Sequence, residues 1–214
     1  MKQLSMFFFL MITMVHYSFS QGEFIQRGEN GFGGGAGFST NREMNGKTLY
    51  AGYSYKGFLD ANLTYWKVNG GKVQDGVLSP SVTYYLVKQE DSEKAPTLGV
   101  SLGYSHYKST STSLVDVPGP NMQHLIDTIK TDLAVDAVKL GVSVNRRIGY
   151  WKAFFFQPSI SAGVSMISSG WEFTIRGSVA IGSRVMDGPL LILTPSIERQ
   201  SGVTTFVLTF GVVS

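Results

Sequence analysis

The chain has 214 residues, of which 43% are hydrophobic and only 15% are charged, and its formal net charge at neutral pH is +3. An average soluble domain carries about 25% charged residues, so this chain is poor in charge for its size. The nearly balanced charge provides no basic patch for nucleic acid, and the absence of cysteine excludes disulfides, thiolate metal sites and lipid attachment at an N-terminal cysteine.

The first 20 residues have the pattern of a secretory signal peptide. Lys2 supplies a positive charge, and Met6 to Val15 is an apolar run that ends a few residues before Gln21. A membrane-spanning helix needs about 20 apolar residues, so this run is too short to be one. We therefore predict an exported protein, with residues 1–20 as the signal peptide and residues 21–214 as one domain.

From the glycine-rich segment Gly31 to Phe38 onward, apolar and polar residues alternate with a period of two, which indicates β-strands with two unlike faces. The segment from Val138 to Asn145 (VKLGVSVN) shows this most clearly. Strands are predicted at 31–40, 47–57, 58–67, 78–88, 96–108, 135–148, 152–167, 171–184, 189–199 and 203–213. Many of them reach the about 9–11 residues that an oblique strand needs to cross a bilayer. A count of eight stays open, because the glycine-rich first strand has the weakest pattern.

The longest connection, from Ser109 to Ala134, falls on the outer side if the N-terminus begins on the inner side of a membrane. Within it, Met122 to Leu133 has apolar residues at helical spacing. This spacing predicts a short amphipathic helix that packs on the barrel rim.

The composition of the polar face distinguishes a membrane barrel from a soluble one. Glycine, serine, threonine and asparagine with scattered charges suit a confined, hydrated interior, whereas the apolar face suits contact with lipid. A sheet in lipid must close on itself to satisfy its backbone groups. The alternative is a soluble periplasmic barrel of the lipocalin type, with the apolar face turned inward around a hydrophobic ligand.

A signal peptide, a glycine-rich first strand, about ten amphipathic strands and a chain end within a strand together resemble the small Gram-negative outer-membrane β-barrel proteins. The OmpA/OmpX-like group is the nearest comparison within these porin-family barrels. The resemblance implies an antiparallel up-and-down transmembrane barrel in the bacterial outer membrane, with outer-membrane lipids and the barrel-assembly machinery as partners. In that group the last strand usually ends in an aromatic residue, whereas this chain has Phe210 in phase and ends at Ser214.

The period-two pattern assigns each strand residue to the polar or the apolar face, and this assignment predicts two sets of residues. Charged residues of the polar face would pair inside the lumen, namely Asp60, Lys139, Arg147, Glu172, Arg176, Arg184 and Glu198. Aromatic residues near strand ends would form a girdle at the lipid–headgroup boundary, namely Tyr53, Tyr65, Trp66, Tyr84, Tyr104, Tyr150, Trp151 and Trp171. Barrels of about eight strands are filled by side chains, and open channels appear near about sixteen. A filled lumen is therefore predicted, with a narrow porin-like channel as the alternative.

The function predicted from these features is structural or a surface interaction, in which the loop 109–134 contacts a partner. No catalytic residue, cofactor, metal or nucleic acid is predicted. The remaining alternative is a lipid-A-modifying enzyme that uses His106, which lies near the predicted outer end of its strand.

Overall fold

The computed structural model describes residues 24–25, 28–41, 45–70, 73–89, 95–118, 124–151, 154–167, 170–184 and 188–214. The predicted signal peptide lies outside these ranges. The strands are β1 (Gly31–Thr40), β2 (Asn45–Tyr55), β3 (Leu59–Gly70), β4 (Val73–Val87), β5 (Thr97–Pro118), β6 (His124–Asn145), β7 (Ile148–Trp151), β8 (Phe154–Ile167), β9 (Gly170–Arg184), β10 (Leu190–Gln200) and β11 (Val203–Val213). Among the described residues, no helix is long and apolar enough to span a membrane.

The strands form one antiparallel barrel that closes on itself. Neighbours in sequence pair with one another except for β6 and β7, β1 pairs with β11, and β6 pairs with β8. The four-residue β7 pairs only with β8, so ten strands form the closed ring. This confirms the predicted all-β, up-and-down barrel and the count of ten strands. Closure is secured at the chain end, where the backbones of Phe32 and Ser214 exchange hydrogen bonds of 2.9 and 3.0 Å.

Most of the large apolar side chains point away from the barrel axis. Leu102, Leu140 and Ile160 are 55%, 54% and 58% exposed, whereas Ser105 and Gln157 on the alternate face are buried. Side chains of a strand alternate between its faces, so the exposed and the buried residues of each strand lie on opposite faces. The arrangement is the reverse of the soluble alternative, which requires the apolar face inside.

The two ends of the barrel differ. Pairing of β4 with β5 stops at Val73↔Ser111 and pairing of β6 with β8 stops at Ala137↔Ile167, but β5 and β6 remain paired as far as Pro118↔His124. We call the two-stranded extension Thr112–Pro118 with His124–Lys130 the ribbon. The end of the barrel that carries it is the ribbon end, and the end with Gly31 and Ser214 is the terminal end.

The predicted helix at Met122 to Leu133 is wrong, because residues from His124 onward continue β6. Helical spacing of apolar residues is a local signal, whereas pairing across the hairpin gives every residue from His124 to Leu133 a partner in β5. Cross-strand backbone hydrogen bonds and β-branched residues at Ile126, Thr128 and Ile129 then favour the strand.

A two-residue hairpin turn also lies at the ribbon end, between β10 and β11. Its residues Ser201 and Gly202 both have positive φ, at 47° and 86°. This combination belongs to turns whose twist matches that of the flanking strands, and glycine adopts it without steric cost. The turn fixes the register Gln200↔Val203 and therefore places Glu198 and Gln200 inside the lumen.

Candidate functional site: the lumen and the outer rim

Four buried charged residues lie together in the half of the lumen nearer the ribbon. They are two bases and two acids, Lys139, Arg176, Glu172 and Glu198. Arg176 and Glu198 stand directly opposite each other on β9 and β10, and the charges of both Arg176 and Lys139 act on Glu198. Burying charge is tolerated when opposite charges compensate it, and the formal charges of this set sum to zero. We call these four residues the charge cluster.

Hydrogen bonds connect the charge cluster to several strands. Gln200 Nε2 donates to Glu172 Oε2 at 2.6 Å, and Arg176 Nη2 donates to Ser196 Oγ at 2.9 Å. Lys139 Nζ donates to Ser105 Oγ. Each of these hydrogen bonds joins neighbouring strands, either β5 with β6 or β9 with β10. The charge interaction between Lys139 and Glu198 connects the two groups.

Asp60 and Arg147 lie in the lumen but away from the charge cluster. The carboxylate of Asp60 is buried and accepts a hydrogen bond of 3.0 Å from the hydroxyl of Tyr85. Arg147 is half-buried, its guanidinium lies 5.0 Å from the ring centroid of Phe155, and its Nε is 3.4 Å from Gln157 Oε1. These two residues therefore line the half of the lumen near the terminal end.

Arg184 does not join the predicted lumen network, because it is exposed. It is in phase with Arg176 along β9, but it is the last residue of that strand and pairs with Leu190 beside the turn to β10. Alternation fixes the face on which a residue lies, and only its height in the barrel decides whether water reaches it.

An apolar layer lies inside the barrel at the terminal end. Phe24 and Ile25, which precede the first strand, are buried, and the ring of Phe24 lies 5.7 Å from that of Phe155. A Cβ atom at Gly31 would overlap the side chain of Ile25, so the glycine makes room for it. We call this layer the apolar plug; its members are Phe24, Ile25, Phe155, Ala180, Leu190, Ile192 and Val213.

The apolar plug was not predicted from the sequence. Strand periodicity carries no information about a segment that lies outside the strands. The available signal was the pair of apolar residues Phe24 and Ile25 within an otherwise polar stretch after Gln21.

Most of the described aromatic residues of the predicted girdle point outward. Tyr65, Tyr84 and Tyr104 are exposed, as is Trp171 near the start of β9. Tyr53 is half-buried, with its ring 4.6 Å from that of Phe32.

Trp66 is a correction to the predicted girdle, because it is only 3% exposed and points into the barrel. Tyr65 and Trp66 are consecutive in one strand, so they must face opposite sides, and Tyr65 faces out. A Cβ atom at Gly46 would overlap the indole of Trp66, which shows that the ring lies over this glycine. Tyr150 and Trp151 belong to β7, and their side chains lie outside the described part of the structure.

His106 lies on the outer face at the ribbon end, beside Asp136. Its Nδ1 is 2.8 Å from Asp136 Oδ1, which also accepts a hydrogen bond of 2.5 Å from the hydroxyl of Tyr104. The side chains of His106 and Asp136 are both exposed. The pair depends on the hairpin register His106↔Asp136, which the period-two pattern does not fix.

This pair can orient an imidazole as a general base, since the carboxylate holds Nδ1 and leaves Nε2 open. Within the described ranges, however, His106 has no hydrogen bond to a serine or threonine hydroxyl that it would activate. The described residues also contain no group of three or more histidine, aspartate or glutamate side chains placed to hold a metal ion.

No family model matches the chain, and no curated protein sequence does either. Among solved structures, the chain is similar to the translocator domain of the autotransporter NalP from Neisseria meningitidis, with 9% identity over 99% of this chain and 94% of that one and a TM-score of 0.47. It is also similar to the β domain of the Bordetella autotransporter BrkA, with 14% identity over 86% and 96% and a TM-score of 0.49. A third match is the N-terminal β-barrel domain of Pseudomonas aeruginosa OprF, with 12% identity over 88% and 100% and a TM-score of 0.40. No activity follows from likeness at this level, so the function must be inferred from the chain's own residues.

Proposed function

We propose that the protein is a non-catalytic, integral outer-membrane β-barrel with a closed lumen, and that its ribbon binds a partner at the cell surface. The observation that carries the surface role is the ribbon itself. Each of its strands pairs with the other and with no further strand of the described chain. The projection is about 23 Å long at the usual rise of about 3.3 Å per residue.

The outer face supports membrane insertion. Each strand of the ten-stranded ring exposes at least one large apolar side chain, for example Leu49, Leu140 and Phe206. Soluble monomers rarely expose a contiguous apolar patch of more than a few hundred Å², whereas a continuous apolar band is the rule for barrels in lipid. The direct test is extraction from cell membranes: the protein should require detergent and should migrate differently on a denaturing gel when heated.

The sequence of the ribbon supports a protein partner rather than lipid. Within the barrel, the apolar positions of β6 are the outward ones, such as Val138 and Leu140. Along the ribbon and up to the rim, apolar residues instead occupy the alternate register positions of β6, which correspond to the lumen side within the barrel. They are Leu125, Ile129 and Leu133. Lipid contact no longer dictates the pattern here. An open strand edge can accept an added strand from a partner through backbone hydrogen bonds.

A photo-cross-linking residue at Thr128 should therefore form an adduct of defined mass with one surface partner in intact cells. The matched control is the same residue at Ser201, in the short turn at the same end of the barrel. Equal adduct formation at both positions would contradict the proposal.

Replacing residues 112–130 by an Asn-Gly turn should abolish binding of that partner but leave the unfolding midpoint unchanged, because Ser111↔Thr131 still pairs.

The closed lumen gives a prediction for conductance. Thr48, Ser54 and Asn62 have buried polar atoms without a partner among the described residues, so water must occupy that part of the lumen. The apolar plug is then the dry barrier to ions in the lumen.

Phe24→Ser/Ile25→Ser should produce ion-conducting steps in planar bilayers at least about tenfold more often than the parent protein. Glu29→Ser, an exposed residue of the same segment, is the control, and steady conductance of the parent protein would instead favour the porin-like alternative.

A further inference from the structure

Two lysines stand directly opposite each other on the outer face of the barrel at the ribbon end. Lys47 of β2 pairs in register with Lys67 of β3, and both are exposed. The same row continues through Gly76 of β4 to the register position of Lys108 in β5. Like charges directly opposite on one face of a sheet destabilise the pairing. The row is therefore unfavourable unless an anion neutralises it.

The described part of the chain supplies no such anion. Neither lysine has an ion pair with a described carboxylate. Asp75, next to Gly76 in β4, occupies a register position in phase with the lumen face, and Asp136, two strands beyond Gly76, is held by His106. The next outward residues toward the middle of the barrel are Leu49 and Tyr65, which are exposed. They belong to the band of outward apolar and aromatic side chains around the barrel, which we call the apolar belt. The lysines thus lie one step beyond the belt, at the level where lipid headgroups meet an inserted barrel.

Tyr65 adds a third hydrogen-bond donor at this level. A Cβ atom at Gly76 would lie 3.2 Å from the hydroxyl oxygen of Tyr65, so the tyrosine reaches toward the row that contains Lys67. The absence of a side chain at Gly76 leaves room for this hydroxyl. On the other side, the exposed ring of Phe38 neighbours Lys47 in register.

We propose that Lys47, Lys67 and Tyr65 form a binding site for the phosphate of an anionic lipid headgroup, whose acyl chains lie along Leu49 and Phe38. Two ammonium groups and a hydroxyl provide donors for phosphate oxygens, and the apolar side chains of Phe38 beside Lys47 and of Leu49 below it provide contact for the acyl chains. The site rests on the proposed membrane insertion, because only an inserted barrel brings this row to the headgroup level.

Native mass spectrometry of the detergent-solubilised mature chain tests the site, with dioleoyl phosphatidic acid and dioleoyl phosphatidylcholine as probes. The parent protein should retain phosphatidic acid about tenfold more strongly than phosphatidylcholine. Lys47→Gln/Lys67→Gln should reduce this preference to near one, whereas Lys47→Arg/Lys67→Arg should keep it. The matched control Lys56→Gln/Arg146→Gln removes two exposed positive charges at the other end and should also keep it.

Equal retention of the two lipids by the parent protein, or an equal loss in the matched control, would overturn the proposal. So would displacement of phosphatidic acid by millimolar inorganic phosphate, since the site would then bind the free anion. Heat-dependent gel migration reports on folding of every variant. If the double variant does not fold, Lys47→Gln and Lys67→Gln are tested singly, and each should lower the preference about threefold. Failure of membrane insertion would appear separately, as extraction of the parent protein without detergent.

Discussion

Glu198→Met should destabilise the barrel by about 3–5 kcal/mol, because it leaves Lys139 and Arg176 buried with a single acid, Glu172. Loss of one partner from a buried ion pair is costly since the remaining charge keeps its desolvation penalty without compensation. The measurement is urea unfolding of the protein in lipid vesicles, followed by tryptophan fluorescence, with folding and unfolding curves required to coincide.

The control for this prediction restores the charge balance. Glu198→Met/Lys139→Met leaves one base and one acid in the charge cluster and should recover most of the lost stability, although it removes two polar residues. If the double variant loses as much free energy of unfolding as the two single variants lose together, the four residues do not act as a compensated set. Their burial must then be stabilised in another way.

Gly35→Ala should lower the free energy of unfolding by about 1–3 kcal/mol and slow the appearance of the heat-modifiable form. A Cβ atom at this position would overlap the carbonyl oxygen of Phe210, and it would lie 2.5 Å from the hydroxyl of Tyr50. Tyr50 crosses this region and its hydroxyl is 3.3 Å from the same carbonyl. Since β1 and β11 close the ring here, strain at Gly35 opposes closure itself.

Gly177→Ala is the matched control, because a Cβ atom at Gly177 in β9 would meet no other heavy atom within 4 Å. Its effect should be smaller than about 0.5 kcal/mol. An equal loss of stability in both variants would mean that general strand propensity, rather than the close approach of Tyr50 and Phe210 to Gly35, determines the glycine requirement.

The placement of the strands was accessible from sequence because each strand carries its own period-two pattern. The predicted strands 31–40 and 203–213 have the bounds of β1 and β11, and the remaining predictions overlap β2 to β6 and β8 to β10. The pattern also fixed which side of each strand faces outward, as Leu102 and Ile160 illustrate. The same rule, applied to consecutive residues, already forbids Tyr65 and Trp66 from sharing the girdle.

The ribbon and the His106–Asp136 pair were not accessible in the same way. Residues from His124 to Leu133 have a helical spacing of apolar residues, and only pairing with β5 makes them a strand. Asp136 lies 30 positions from His106 in the chain, so their contact depends on the register of the long hairpin.

The sequence by itself determined that this chain forms an all-β structure of amphipathic strands with the apolar face outward, since alternation is a property of each strand alone. Only the tertiary structure decided which residues meet inside the ring: that Glu198 faces Arg176, that Arg184 lies at the mouth, and that Phe24 and Ile25 fill the terminal end. The physical reason is that these contacts depend on register and on the height of each residue in the barrel. Both are set jointly by ten strands closing on one another, and no single segment encodes them.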